Sequence, residues 1–231
     1  MNRILNYLNF DILDYNIAWN IQKEIFDLRI KNRIEDTIIL LQHPHTYTLG
    51  KTANKKHLIS NPEFLKKNQI SVFDIDRGGD ITYHGPGQIV GYPIINLSDW
   101  KQDTHKYLRA LEEVIIRTCS DYNLSTGRNS AYTGVWIDER KIAAIGIKVS
   151  RWITMHGFAF NISTDLKFFN GIIPCGITDK AVTSLEIETG SKVSVNEVKE
   201  NLLKNFKNVF SYDEVSVGNY EEISALGLSH N

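Results

Sequence analysis

The sequence predicts an α+β domain in which mixed and antiparallel sheets are flanked by helices. Three observations carry that expectation: short β-branched or aliphatic runs recur between turn residues, a few amphipathic helical stretches interrupt them, and no repeat or Pro/Ser-rich linker divides the 231 residues. A composition of 42% hydrophobic and 23% charged residues is ordinary for one large globular unit. The expected boundaries are a single domain over 1–210 and a weakly patterned, loosely attached tail over 211–231.

The elements follow in order. Ile17, Ile21, Ile25 and Leu28 recur at helical spacing, so residues 14–31 read as an amphipathic helix that opens the fold. The aliphatic run 37–42, closed by His43-Pro44, reads as a buried strand. Residues 71–75 and 88–95 are further strands, and they bracket a loop that is unusually rich in glycine. Leu108, Leu111, Ile115 and Cys119 share one face of a second helix over 104–121. Runs 134–137, 141–147 and 153–162 then predict an antiparallel meander, its first two strands joined by the polar turn Asp138-Glu139-Arg140. Ser194 and Glu197 have capping-box spacing, and Val198, Leu202, Phe206 and Val209 continue behind them as a closing helix.

Charge excludes some functions. A net charge of −1 and a pI near 6.7 give no global attraction to nucleic acid or to an anionic membrane. No apolar run reaches the length of a membrane span, so the expected location is soluble and cytoplasmic. The two cysteines, Cys119 and Cys175, form neither a disulfide framework nor a zinc pattern, which fits a reducing compartment. His43 and His45 share strand-like spacing, but Pro44 lies between them and no ligand cluster completes a set, so no metal site is expected.

Chemistry concentrates in four places. The loop Arg77, Gly78, Gly79, Asp80, Ile81, Thr82, Tyr83 and His84, continued by Gly85-Pro-Gly-Gln88, spends glycine where a backbone or a ligand must come close. It superficially resembles a dinucleotide fingerprint, yet its spacing is wrong and it enters a strand. Cys175, between Pro174 and Gly176, is either a small buried hydrophobe or a nucleophile presented on a loop. Cys119 suits the core. A reactive thiol needs a proton-moving partner, and His84, His156 or Lys141 could serve. Each histidine has a purely structural alternative, and Lys141, at the head of an apolar strand, has the alternative of a solvated turn residue.

Taken together, the segments 77–88, Lys141-Ile-Ala-Ala-Ile-Gly146, His156-Gly-Phe-Ala-Phe-Asn161 and Pro174-Cys-Gly176 closely resemble the lipoyl(octanoyl) transferase family. The likeness runs from His43-Pro44 to the closing helix. It departs from the family at Ile173, where many members carry asparagine, and at His45, where a proline or small residue is frequent. The resemblance implies a biotin/lipoate protein ligase-like fold, with Cys175 as the acyl-carrying nucleophile and Lys141 as its general acid and base. It further implies that Arg77 to His84, Ala144, Ile145, Gly146, Gly157, Phe158 and Ala159 line the acyl and pantetheine channel. The implied reaction moves an octanoyl or lipoyl group from acyl carrier protein to a lysine of lipoyl domains, in 2-oxoacid dehydrogenase complexes and the glycine cleavage H protein. No cofactor of its own is implied, because phosphopantetheine arrives on the donor. The rivals are an ATP-dependent lipoate or biotin protein ligase on the same fold, an acyl-thioester hydrolase, and a non-enzymatic acyl-binding module. Some of Lys148, Arg151 and Lys167 are expected to form a docking patch for the acidic donor.

Overall fold

The computed structural model describes residues 2–173 and 181–228. Its elements in chain order are β1 (Ile4–Ile12), α1 (Tyr15–Ile30), β2 (Asp36–Gln42), β3 (Thr46–Leu49), α2 (Pro62–Lys67), β4 (Ser71–Asp74), β5 (Ile81–His84) and β6 (Gln88–Ile94). They continue as α3 (Thr104–Ser120), β7 (Gly127–Arg128), β8 (Val135–Ile137), β9 (Arg140–Ser150), β10 (Ile153–Asn161), β11 (Ala181–Val182), α4 (Leu185–Thr189), α5 (Val195–Phe210), β12 (Glu214–Val217) and α6 (Tyr220–Leu228). The large sheet runs β12-β1-β2-β6-β10-β9-β8-β7, with β11 added beside β9, and a small sheet has the order β4-β3-β5. The mixed α+β expectation holds.

Strand β2 is buried along its whole length because both of its faces are covered. On one side Ile38 and Leu40 join Leu111, Ile115, Val198, Leu202, Phe206 and Phe210 from α3 and α5. On the other, Ile39 and Leu41 meet Ile21, Ile25 and Leu28 of α1. Each fully buried aliphatic or aromatic side chain contributes about 1.5–3 kcal/mol relative to exposure, so these two layers hold the sheet. Ser194 caps α5 by accepting from the Glu197 N–H, as its spacing predicts. Cys119 lies in the first layer with no exposed surface, and burial pushes its thiol up to about 12.

Four expectations need correction. The chain opens with a strand, because β1 pairs parallel with β2; its apolar residues are interleaved with Asn6, Asn9 and Asp11, so no clean alternation marks it. Ile17 faces solvent, and Tyr15, Ala18 and Gln22 take the buried positions of α1. The glycine-rich segment is not one loop between two strands of a common sheet. It contains β5, which pairs with β3, while β6 belongs to the large sheet. Residues after 210 are not loosely attached: Tyr212 is buried and donates to Asp36 at 2.7 Å, and β12 extends the sheet by pairing with β1.

Candidate functional site

A narrow slot of about 60 Å³ opens where the small sheet faces β9 and β10. Its floor comes from the sheet register, which sets Ala144 opposite Ala159 and Gly146 opposite Gly157. Small residues there leave room above the strands. A Cβ on Gly157 would come within 2.2 Å of the Gly91 carbonyl oxygen, so that glycine also serves backbone packing. The roof is the loop and strand from Arg77 to His84.

Arg77, Gly79, Asp80, Ile81, Thr82, His84, Ala144, Ile145, Gly146, Gly157, Phe158 and Ala159 all line this slot. Gly78 and Tyr83 do not. Alternation along β5 turns Tyr83 into the small sheet's own core, where its hydroxyl meets His45 Nδ1 at 2.7 Å and its ring stacks on Phe168. Gly78 lies outside the slot, its N–H donating to the Ile147 carbonyl at 2.8 Å. Tyr15, Val90, Tyr92 and His156 complete the wall. Composition and spacing carry no signal for the first three, since Tyr15 arrives from α1 and the other two look like ordinary strand residues.

Polar side chains fix the roof. Arg77 is buried and donates from Nη2 to the Thr48 carbonyl at 2.8 Å and to its hydroxyl at 3.0 Å. Asp80 accepts from the backbone N–H groups of Asn54 and Ile81 and from His57, so its carboxylate organises the wall. His84 Nδ1 pairs with Gln88 Oε1 at 2.9 Å, Gln88 Nε2 donates to Asn161 Oδ1 at 2.9 Å, and Asn161 Nδ2 donates to the Thr183 carbonyl at 2.9 Å. This buried chain ties the slot to Thr183, the residue after β11. Burial holds His84 well below the usual imidazole range, so it is neutral in this network.

At the far end His156 Nε2 meets Asp76 Oδ1 at 2.7 Å, and Lys148 Nζ donates to Asp76 Oδ2 at 2.6 Å. The His156 hydrogen bond, with Lys148 assisting, holds the Asp76 carboxyl far below its ordinary range. Lys148 pairs with Asp76 and Lys167 with Asp165, both ion pairs being partly or largely exposed.

Lys141 stands at the near end. It is 9% exposed, which sets aside a solvated turn lysine, and its ammonium lies 4.7 Å from the Trp136 ring centroid. Its carbonyl accepts from the Thr183 N–H at 3.0 Å, and Val182 pairs with it across β11 and β9. Lys141 lines a small hollow with Thr82, Ala144, Ala159 and Asn161, and also an open cleft with Gly78, Gly79 and Gly146. Cys175 lies outside the described residues. The chain before it is anchored where Ile173 N–H donates to the His57 carbonyl at 2.8 Å, and the chain after it is anchored at Lys141's own strand. Among the described residues no group of histidine, cysteine and carboxylate side chains could hold a metal, and no helix is long and apolar enough to cross a membrane.

The fold is that of solved lipoate protein ligases. A solved bipartite lipoate protein ligase from Thermoplasma acidophilum superposes with a TM-score of 0.71 over 97% of this chain and 91% of its own, at 16% identity. The chain belongs to the lipoyl protein ligase A/B catalytic domain family, whose model matches residues 14–207. Among its relatives, the octanoyltransferase of Christiangramia forsetii is 48% identical over 227 residues, covering 91% of this chain and 97% of that protein. The octanoyltransferase of Flavobacterium johnsoniae is 45% identical over 232 residues, covering 93% of this chain and 100% of that protein.

Proposed function

We propose that this protein is an octanoyltransferase of protein lipoylation, which moves an octanoyl group from the phosphopantetheine thiol of acyl carrier protein to a lysine of a lipoyl domain. The observation that carries the reading is the slot floored by the Ala144/Ala159 and Gly146/Gly157 pairs, with the buried Lys141 lining a hollow that shares Thr82, Ala144 and Ala159 with it. A slot floored by alanine and glycine suits an alkyl chain. The acceptors are the lipoyl domains of 2-oxoacid dehydrogenase complexes and the glycine cleavage H protein. In this reading residues 1–210 form the catalytic domain, residues 211–228 border its sheet, and the reaction takes place in the cytoplasm.

The transfer splits into two steps through covalent catalysis. Neutral Lys141 accepts the Sγ proton of Cys175, and the thiolate adds to the octanoyl carbonyl. The tetrahedral intermediate collapses to an acyl-enzyme thioester, and the pantetheine sulfur leaves with the proton returned by Lys141. In the second step the neutral amine of the acceptor lysine adds to that thioester. Lys141 takes one of its protons and passes it to the departing Cys175 sulfur, leaving an amide. Thioester to thioester is near balanced and thioester to amide is downhill, so no nucleotide is consumed. Gly176 and its neighbours would supply oxyanion donors, worth about 3–4 kcal/mol for one such donor.

Intact mass after quenching tests the reading. Incubation with octanoyl acyl carrier protein should add one octanoyl group to the chain, at Cys175, and a lipoyl domain should remove it. A Cys175→Ser protein that still attached lipoate in the presence of ATP would favour a ligase, and octanoate released without acceptor would favour a hydrolase. Octanoyl binding without a covalent adduct would favour a binding module.

A further inference from the structure

Strand β8 meets β9 through a bulge. Val135 pairs with Ala143, but the next pair is Trp136 with Lys141, so Ile142 is an extra residue on β9. Without it, Trp136 would stand opposite Ile142, and Lys141 opposite Ile137. Directly opposed residues of neighbouring strands interact on one face, so the bulge sets the indole beside the lysine. Lys141 Nζ lies 4.7 Å from the Trp136 ring centroid, and both side chains are buried. A buried tryptophan ordinarily finds an acceptor for its indole N–H. Trp136 Nε1 meets none among the described residues, so its polar edge does not explain its place. The chain before β8 closes on the same lysine. Gly134 has φ +133°, and a Cβ there would come within 2.6 Å of the Ala143 carbonyl oxygen and 3.5 Å of Lys141 Cε. Its N–H donates to Glu112 Oε1 at 3.2 Å, and Glu112, fully buried on α3, also accepts from Arg109 and Arg128.

An aromatic face attracts an ammonium far more than a neutral amine. We propose that Trp136 is the positioning residue of Lys141, its indole face holding the side-chain nitrogen in place and favouring the protonated form. The inference rests on the octanoyl-transfer reading, in which Lys141 moves the proton of Cys175. When the thiol ionises, its S–H bond breaks, the electron pair stays on sulfur, and the proton forms a third N–H bond at Lys141 Nζ. The ring stabilises the ammonium so formed until collapse of the tetrahedral intermediate sends the proton to the pantetheine sulfur. Charged and titratable groups also surround this lysine. Glu112 on α3 is held by Arg109 and Arg128, and Arg140 on β9 is paired with Glu188. Tyr132 shares the open cleft, and His84 on β5 is bonded to Gln88, which lines the hollow. A change confined to the ring of Trp136 leaves all of them in place.

The Lys141 ammonium is titrated in the full-length Cys175→Ser protein through its isotope-labelled Cε resonance, assigned by its loss in Lys141→Arg. Trp136→Leu should lower the titration midpoint by about one pH unit, and Trp136→Phe, which keeps an aromatic face, should restore roughly half of that. Biosynthetic replacement of tryptophan by its mono-, di- and tetrafluoro analogues keeps the ring's shape while draining its face of negative charge. That series should lower the midpoint stepwise, and should do nothing in the Trp136→Phe protein. Thermal unfolding accompanies each variant, and the fluorinated proteins carry the test should leucine unfold the chain. With Cys175 intact, the alkaline limb of acyl-enzyme formation from octanoyl-pantetheine should move to lower pH in step with the midpoint. A midpoint unmoved by fluorination, or a series that acts equally in the Trp136→Phe protein, would overturn the assignment. So would a rate lost equally at every pH in Trp136→Leu, since loosened packing alone produces that. A wild-type protein that octanoyl-pantetheine does not acylate would instead refute the underlying transfer reading, and the Lys141 midpoint would still decide on Trp136.

Discussion

Replacing Ala144 with leucine puts three further carbons into the slot, opposite Ala159. Directly opposed residues on neighbouring strands hold their Cβ atoms about 4.5–5.5 Å apart, so the new side chain must occupy space meant for the acyl chain. If it displaces three methylenes of an octanoyl group, at ~0.8 kcal/mol each, the loss is ~2.4 kcal/mol. That is ~60-fold in the efficiency of acyl-enzyme formation. An acetyl thioester has no methylenes to displace and should lose much less. The assay is single-turnover acylation with octanoyl- and acetyl-pantetheine, read by quenched intact mass, with thermal unfolding to show that the variant is folded. The octanoyl-to-acetyl ratio should fall by more than an order of magnitude. If both donors slow by one common factor, or the octanoyl rate is unchanged, the slot does not hold the acyl chain.

Stability should depend on pH through His43. Burial lowers its pKa from 6.5 to about 4 in the folded protein, so between those values the unfolded chain binds the extra proton and stability falls as the solution is acidified. The contribution is roughly 3 kcal/mol, and His43→Gln should flatten that part of a urea-unfolding profile; an unchanged slope would remove His43 as its source. Asp36 accepts from Arg29 Nε at 2.8 Å, the Asn96 N–H at 2.8 Å and Tyr212 at 2.7 Å, all in a buried setting. Asp36→Ala leaves Arg29 short of its buried partner and should cost about 3–5 kcal/mol in denaturant unfolding; a loss below one would show that the network is not coupled. Cys119→Ala should destabilise the fold by about 1–2 kcal/mol, as removal of a small buried group does. It should leave acylation intact, and loss of the octanoyl adduct in that variant would implicate Cys119 in the chemistry.

Legibility in the sequence followed periodicity. The helices α1, α3 and α5 and the strands β2, β9 and β10 carry strong 3.6- or 2-residue patterns because each buries one defined face or a whole strand. Strand β1 escaped because polar residues interleave with its apolar ones and its place is set by two parallel neighbours. The same holds for β12, a four-residue strand whose place depends on Tyr212 reaching Asp36. Tyr15, Tyr92 and Asp76 were invisible as site residues for a related reason. Nothing in their local sequence records that α1, β6 and the end of β4 converge on one slot.

By itself the sequence determined the α+β class, the three long helices, the meander, and the family to which its glycine loop, Lys141 strand, His156 strand and Pro174-Cys175-Gly176 motif belong. These are local or motif-level properties, written in adjacent residues. Only the tertiary structure decided that Lys141 is buried where it lines both a small hollow and an open cleft, and that Tyr83 turns away from the slot while Thr82 and His84 face it. Those properties depend on register and on the burial supplied by distant segments, and register is set by pairing between strands that the chain places far apart.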